Sequence, residues 1–183
     1  MLTIKKFASI PDGTDLTALY RSRVGDYPKF FKMDTACKLG FLLAEELADE
    51  PRFTPREDRA VLMFSTHGCL CNDRHYEETV QDFPSPALFV YTLPNIITGE
   101  IAIRNKYAGE TSAYVLERFD PAVFAALVEQ AFQDVDGVES QSLVPEQGGV
   151  IVDIFRLHPV QVQGVDELQF DFIDQGFHIC SLY

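Results

Sequence analysis

Residues 60–65, Ala-Val-Leu-Met-Phe-Ser, form a short and almost uninterrupted apolar run. This pattern is typical of a β-strand that is buried on both faces of its sheet, which requires helices on both sides. The sequence supplies helix starts before and after this segment. Asp34 is an N-cap residue ahead of an apolar helical pattern, and Asp120 followed by Pro121 marks a second start. The sequence therefore predicts a layered α/β fold.

The remaining elements follow in an order that fixes the fold class. Strand patterns at residues 2–10 and 111–117 flank the buried one, with helical segments between them, including two short helices that meet at Pro94. Three more strand patterns come last. They lie at residues 138–144, 149–157 and 177–182, the first two forming a hairpin around residues 145–148. We expect a mixed sheet that ends in antiparallel strands.

Composition and charge narrow the classes of partner. The chain has 183 residues, 46% of them hydrophobic, which suits one domain with a real core. Lys and Arg number 15 against 28 Asp and Glu, a net charge of −13, so we expect no nucleic-acid partner and no membrane partner. No apolar run reaches the roughly 20 residues of a membrane span. No signal peptide is visible, and the four cysteines suit a reduced, cytoplasmic protein.

The charge is unevenly distributed along the chain. Residues 1–38 carry seven Lys and Arg side chains against four aspartates, whereas the other 145 residues carry eight against 24 Asp and Glu. This segment is either an ordinary solvated surface or a docking surface for an acidic partner.

Three segments, in order along the chain, resemble β-ketoacyl-acyl-carrier-protein synthases, the ketosynthases. Residues 32–40 resemble the K-M-D start of the first long helix of that family. Residues 67–79 resemble its S-S-L-x-T-D-x-x-Y-x-E-T loop. Residues 84–104 resemble its P-x-x-F-x-x-x-L-P-N-x-x-x-G-x-I-A-I-R segment, the most specific of the three. The family-motif residues with a structural role are Asp34, Asp73, Pro94, Asn95 and Gly99.

The resemblance implies a thiolase-like α/β fold, a βαβαβαββ-type mixed sheet flanked by helices, of which this chain would be the N-terminal half. It predicts a ketosynthase N-terminal-like domain over residues 1–148. A β-rich C-terminal extension, residues 149–183, would pack on the same domain.

The resemblance also implies a protein without condensing activity. In the family, a strand leads into a nucleophilic Cys at a helix N-terminus, where the backbone N–H groups favour the thiolate. Here the connecting residues 116–120 contain no Cys, Ser or Thr, and Asp120 would oppose a thiolate. The His pair and Lys of the family lie in its C-terminal half, which this chain lacks. We expect a non-catalytic accessory protein, a pseudoenzyme without cofactor, in fatty-acid or polyketide biosynthesis.

Such a protein would act through its partners. Ketosynthases dimerise by antiparallel pairing of the strand that precedes the nucleophile. The corresponding residues here, which we take as the candidate interface, are Ser112, Ala113, Tyr114, Val115 and Leu116. We therefore expect a homodimer or a heterodimer with a ketosynthase. Docking of an acidic acyl carrier protein on the cationic residues 1–38 is the alternative interaction.

Other classes of function stay open. His67, Cys69, Cys71 and His75, with Asp73 between them, have the side-chain types of a zinc site. Ligands at every second position of one loop do not converge readily on a tetrahedral ion, so we expect no metal. The alternative functions are a small thiol- or metal-dependent enzyme that uses this loop and an acyl-thioester binding protein.

Overall fold

The computed structural model describes residues 4–11, 13–48, 52–57, 59–118, 120–135, 149–155 and 176–182. These residues form one five-stranded sheet with helices against it. The strands are β1 (Ile4–Pro11), β2 (Arg59–Ser65), β3 (Thr111–Val115), β4 (Gly149–Phe155) and β5 (Gly176–Leu182). Their order across the sheet is β1-β5-β4-β2-β3.

The sheet is mixed. Strand β2 pairs in parallel with both β3 and β4, with Met63 opposite Ala113 on one side and Asp153 on the other. Strand β5 runs antiparallel to β4 and to β1. The parallel part of the sheet therefore lies at the β3 side and the antiparallel part at the β1 side, as the sequence predicts for its final strands.

Six α-helices accompany the sheet in the described part of the chain. They are α1 (Leu16–Arg23), α2 (Thr35–Leu47), α3 (Leu70–Val80), α4 (Pro86–Val90), α5 (Asn95–Asn105) and α6 (Pro121–Val135), with a 3₁₀ turn over Pro28–Lys32. Asp34 caps α2 by accepting a hydrogen bond of 2.9 Å from the Cys37 N–H. Asp120 caps α6 by accepting from the Ala122 N–H at 2.9 Å. Both caps confirm the predicted helix starts.

Strand β2 is the centre of the core. All seven of its residues are buried. On one face, Val61 and Met63 belong to the apolar cluster that α2 and α5 complete. On the other face, the Phe64 ring lies 4.9 Å from that of Phe124 in α6. The prediction of a strand covered on both faces is therefore confirmed. Helices α2 and α5 cover one face together, and α6 packs on the other.

Most of the other predicted elements are present. Helices α4 and α5 meet at Pro94, as predicted, and β1, β3, β4 and β5 lie within about two residues of their expected bounds. The expected strand at residues 138–144 and its hairpin turn lie outside the described residues. The division at residue 148 stays a prediction, although β4 and β5 belong to the same sheet as β1–β3. Within the described residues, no helix is long and apolar enough to cross a membrane.

Candidate functional site

The candidate interface residues lie at one edge of the sheet. Ser112, Ala113, Tyr114 and Val115 are in β3, and Leu116 follows directly, its N–H bonded to the Ser65 carbonyl at 2.9 Å. Among the described strands, β3 is outermost and pairs only with β2. Its hydrogen-bonding groups on the other side therefore face away from the sheet.

The register identifies which groups of β3 face outward. The Val61 N–H donates to the Glu110 carbonyl at 2.8 Å, and the Leu116 N–H donates to Ser65. Because main-chain groups alternate in a parallel ladder, even-numbered residues of β3 bond to β2 and odd-numbered residues point outward. The N–H and C=O groups of Thr111, Ala113 and Val115 therefore form the exposed edge.

Exposed apolar side chains are concentrated in one stretch of the sequence. Five of the ten large apolar residues described as exposed fall between residues 80 and 93. They are Val80, Phe83, Phe89, Val90 and Leu93, and we call them the 80–93 apolar surface. Phe83 is 80% exposed. The Val115 side chain, 54% exposed, lies beside Gly68, which also neighbours Pro94. The end of β3 therefore approaches Pro94, which follows the last residue of this surface.

A groove brings the three family-like segments together. It has a volume of about 810 Å³ and lies between the start of α2, helix α3 and helix α4, so we call it the α2–α4 groove. Its walls include Met33, Leu39 and Leu88, and its basic side chains are Lys32, Lys38, Arg74 and His75. Residues that are about 30 to 60 positions apart in the chain thus form one concavity of the size of a ligand site.

The family-motif residues have separate structural positions. Asp34 caps α2 and lines the groove, and burial raises the pKa of its carboxyl. Asp73 lies in the first turn of α3. Pro94 precedes α5, Asn95 begins it, and its carbonyl accepts a hydrogen bond of 3.0 Å from the Thr98 hydroxyl. Gly99 lies inside α5 with open space where a side chain would be. Of these residues, only Asp34 lines the groove.

The residues of the zinc-like pattern do not share one environment. Cys69 is buried at the N-cap of α3, whereas Cys71 is exposed one residue into that helix. His75 lies one turn after Cys71, and both line the α2–α4 groove. His67 lies in the preceding turn, with Nδ1 2.7 Å from the Thr66 hydroxyl. In the described residues, no three His, Cys, Asp or Glu side chains are grouped to hold a metal ion.

The thiols should differ strongly in reactivity. Burial raises the pKa of Cys69 to about 11, so about one side chain in a thousand is a thiolate at pH 8. Burial also raises the pKa of Cys37, which is fully enclosed. We therefore expect iodoacetamide at pH 8 to label Cys71 at least about tenfold faster than Cys69 or Cys37, as measured by peptide mass spectrometry.

Two references calibrate this labelling. Cys71 should react within about tenfold of the rate of glutathione, because exposure alone distinguishes it. In denaturing urea, Cys37 and Cys69 should become as reactive as Cys71. Preferential labelling of native Cys69, or a Cys71 rate far above that of glutathione, would favour the thiol-enzyme alternative.

A buried charge network surrounds Arg104, near the end of α5, and the sequence patterns do not predict it. The Arg104 guanidinium bonds to Glu45 through Nε–Oε1 at 2.9 Å and to Asp26 through Nη2–Oδ1 at 2.7 Å. Arg52 Nη2 also reaches Glu45 Oε2 at 2.7 Å. The guanidinium carbon lies 4.4 Å from the ring centroid of Phe53 and 5.1 Å from that of Tyr27. The signal available in the sequence was the family-like segment that ends at Arg104.

Glu100, one turn before Arg104 in α5, is a second buried acid. Glu100 forms an ion pair with Lys29 and accepts a hydrogen bond of 3.3 Å from the Tyr27 hydroxyl. Its side chain is 6% exposed. Burial, and then the Glu100 charge, raise the pKa of Tyr27. Glu100 and Arg104 therefore hold the segment before α2 against α5, which fixes one wall of the α2–α4 groove.

No model of a protein family matches the sequence, and no curated protein matches it. Several solved structures are similar, and two of them are described here. The first is a ketosynthase (ApeO) in complex with its chain length factor (ApeC) from Xenorhabdus doucetiae, with a TM-score of 0.59 and 16% identity; the match covers 99% of this chain and 77% of that chain. The second is the ishigamide ketosynthase/chain length factor, with a TM-score of 0.60 and 13% identity, covering 93% of this chain and 48% of that chain. The predicted ketosynthase-like fold is thus confirmed: this chain has the fold of ketosynthase and chain length factor proteins, and it spans about half the length of the second of them.

Proposed function

We propose that this protein is a ketosynthase-like accessory subunit of a polyketide- or fatty-acid-type pathway, and that it acts by pairing with a ketosynthase-type chain. The exposed edge of β3 carries the proposal. The similar structures are themselves complexes of a ketosynthase with a chain length factor, which supports a partner of this type. The chain would correspond to the N-terminal part of such proteins.

The end of β3 supports a non-catalytic role. Residues 116–120, which connect β3 to α6, contain no Cys, Ser or Thr. The Asp120 carboxylate also accepts hydrogen bonds from the N–H groups of Ala122 and Val123, at 2.9 and 3.3 Å. A negative charge already occupies the helix N-terminus that would otherwise stabilise a thiolate. The connection is therefore suited to capping a helix rather than to nucleophilic attack.

The edge of β3 supports association through main-chain hydrogen bonds. Five residues span about 17 Å, and every second residue presents an outward N–H and C=O. An exposed strand of this kind accepts a strand from another chain unless it is covered. Pairing across β3 would extend the sheet into the partner.

The 80–93 apolar surface supports a larger contact than strand pairing alone. A stable interface buries about 800 Å² on each partner, more than a five-residue strand supplies. Exposed apolar side chains that are grouped in one region mark interaction sites. Because Val115 and Pro94 both neighbour Gly68, the end of the apolar surface at Leu93 lies near the end of the strand. The partner would contact both.

The alternative partner, an acyl carrier protein, has weaker support. Of the basic residues in 1–38, Arg23 pairs with Glu46 and Lys29 pairs with Glu100, so their charges are partly neutralised. The net charge of −13 repels an acidic protein at long range. Strand pairing uses main-chain hydrogen bonds, so it requires neither free basic side chains nor a favourable net charge.

The experiment is native mass spectrometry of the tagged protein purified from its own host, with peptide sequencing of whatever accompanies it. We expect a 1:1 complex with a ketosynthase-type chain. The Val115→Lys variant should reduce the recovered complex at least about tenfold, because a charge then lies at the strand edge. Thr111→Pro, which removes an outward N–H at the first position of the strand, should reduce recovery as well.

Ile103→Lys is the matched control, since Ile103 is 66% exposed on α5 and is aliphatic like Val115. It should leave recovery unchanged. The proposal fails if the wild-type protein brings down no ketosynthase-type chain, or if Val115→Lys recovers as much as wild type. A homodimer that Val115→Lys dissociates would replace the heterodimer with self-pairing through the same edge.

A further inference from the structure

The α2–α4 groove has the features of a small-molecule site, independently of any partner on β3. Its volume of about 810 Å³ is in the range of ligand sites. Met33, Leu39 and Leu88 give the groove an apolar portion of wall, in which Met33 and Leu39 are only 3% and 4% exposed. An apolar portion of a ligand would be covered there.

The mouth of the groove carries positive charge on an otherwise acidic protein. Lys32, Lys38 and Arg74 line it, and in the described part of the chain none of them forms an ion pair. Lys38 lies 5.7 Å from the ring centroid of Phe30. The acids that line the groove are Asp34 and Glu78. Three cations against two acids favour an anionic group at the mouth.

Tyr91 adds a hydrogen-bond donor to the groove. It lines the groove and is only 8% exposed, yet its hydroxyl has no hydrogen-bond partner among the residues that the structure describes. The hydroxyl is not among the fully enclosed polar atoms without a partner, so it is accessible from the groove and can donate to a bound molecule. Burial raises the pKa of Tyr91 to about 12, so the hydroxyl is a neutral donor near pH 7.

The charges around Tyr91 select what it can bind. Burial and then the negative charges of Glu100 and Asp34 contribute to the raised pKa of this hydroxyl. A second negative charge would be repelled there, because Glu100 and Asp34 are acidic. The hydroxyl therefore suits a neutral acceptor, such as an amide or ester carbonyl, while the anionic group stays at Lys32, Lys38 and Arg74.

We propose that the α2–α4 groove binds an anionic amphiphile of a defined pattern. The anionic head lies among Lys32, Lys38 and Arg74, a neutral carbonyl next to the head accepts a hydrogen bond from Tyr91, and an apolar chain lies against Met33, Leu39 and Leu88. An N-acylated amino acid has this arrangement of groups. The head is a carboxylate or a phosphate, and the assay distinguishes the two.

The test is isothermal titration of the purified full chain with N-decanoylglycine, which has head, amide and chain. We expect saturable 1:1 binding, and about fivefold weaker binding of decanoate, which lacks the amide carbonyl. Tyr91→Phe should weaken N-decanoylglycine about fivefold and leave decanoate unchanged, because only the amide uses the hydroxyl. N-decanoylethanolamine phosphate reports whether a phosphate head binds more tightly than a carboxylate.

Charge variants test the mouth of the groove. Lys38→Glu combined with Arg74→Glu should weaken N-decanoylglycine at least about tenfold and remove the salt dependence of binding. Lys106→Glu, at the exposed end of α5 and away from the groove, is the control and should bind like wild type. Equal affinity of Tyr91→Phe and wild type for N-decanoylglycine, equal affinity for the uncharged N-decanoylethanolamine, or no binding at millimolar ligand would each overturn the proposal. Thermal melting of every variant verifies that it is folded.

Discussion

Replacing Arg104 with methionine is expected to lower the free energy of unfolding by about 3 kcal/mol. The Glu45 side chain is only 5% exposed, and Arg104 provides two of its hydrogen bonds, at 2.9 and 3.4 Å. Removing one member of a buried pair leaves the other charge with less compensation, which costs more than the pair itself contributes. The Arg104 guanidinium also packs on the rings of Tyr27, Phe41 and Phe53. Urea unfolding followed by circular dichroism measures the loss.

Asp26→Asn is the matched control for this prediction. It removes a carboxylate charge that pairs with the same guanidinium. Because the Asp26 side chain is 62% exposed, the free energy of unfolding should fall by less than about 1 kcal/mol. Arg104→Lys should be intermediate, because an ammonium keeps the charge but not the planar fork or the ring stacking. If Arg104→Met and Asp26→Asn unfold at the same urea concentration, the network does not stabilise the fold in the way that its burial indicates.

Local patterns were sufficient to predict the elements that depend on local physics. The apolar run at residues 60–65 predicts β2, since a strand buried on both faces needs no polar positions. Asp34 and Asp120 predict the starts of α2 and α6, because a capping carboxylate satisfies N–H groups a few residues away. Pro94 predicts the junction of α4 and α5, because proline cannot continue a helix from the preceding residue.

Helix α1 escaped prediction for an equally local reason. Leu16, Leu19 and Tyr20 have helical spacing and pack on the core, but they span little more than one turn, and only Tyr20 is fully buried. The N-cap Asp15, which accepts hydrogen bonds from the N–H groups of Thr17 and Ala18 at 2.9 and 3.0 Å, was the available signal. A single cap residue followed by so short an apolar stripe does not distinguish a helix from a turn.

The candidate sites depend on contacts between distant residues. The sequence identified β3 as the segment that would need a partner, but its position at the sheet edge depends on the strand order, in which β5 lies between β1 and β4. The α2–α4 groove joins residues 32–39 to residues 68–91. Glu45 and Arg104 are 59 positions apart. No periodicity connects such pairs, and only the order of the three family-like segments indicated that these regions belong together.

The close packing between β2 and the segment before β3 leads to a prediction of opposite effects at two glycines. A Cβ on Gly109 would lie 2.7 Å from the Arg59 carbonyl carbon and 3.0 Å from the Glu57 carbonyl oxygen. The backbone there cannot move aside easily, because the Ala108 N–H donates to Arg56 at 2.7 Å and the Val61 N–H donates to Glu110 at 2.8 Å. Gly109→Ala is therefore expected to lower the free energy of unfolding by about 3 kcal/mol.

Gly99→Ala makes the same chemical change where space is available. Gly99 lies inside α5, and no atom comes within 4 Å of an added Cβ. Alanine should raise the free energy of unfolding by about 0.5–1 kcal/mol, because glycine in a helix interior loses more backbone entropy on folding. Urea unfolding of both variants decides the matter. Opposite signs are expected from the packing. A Gly109→Ala variant as stable as wild type would mean that the contact between Gly109 and the start of β2 does not constrain the backbone there, and destabilisation by Gly99→Ala would mean that a side chain is not accommodated at that position of α5.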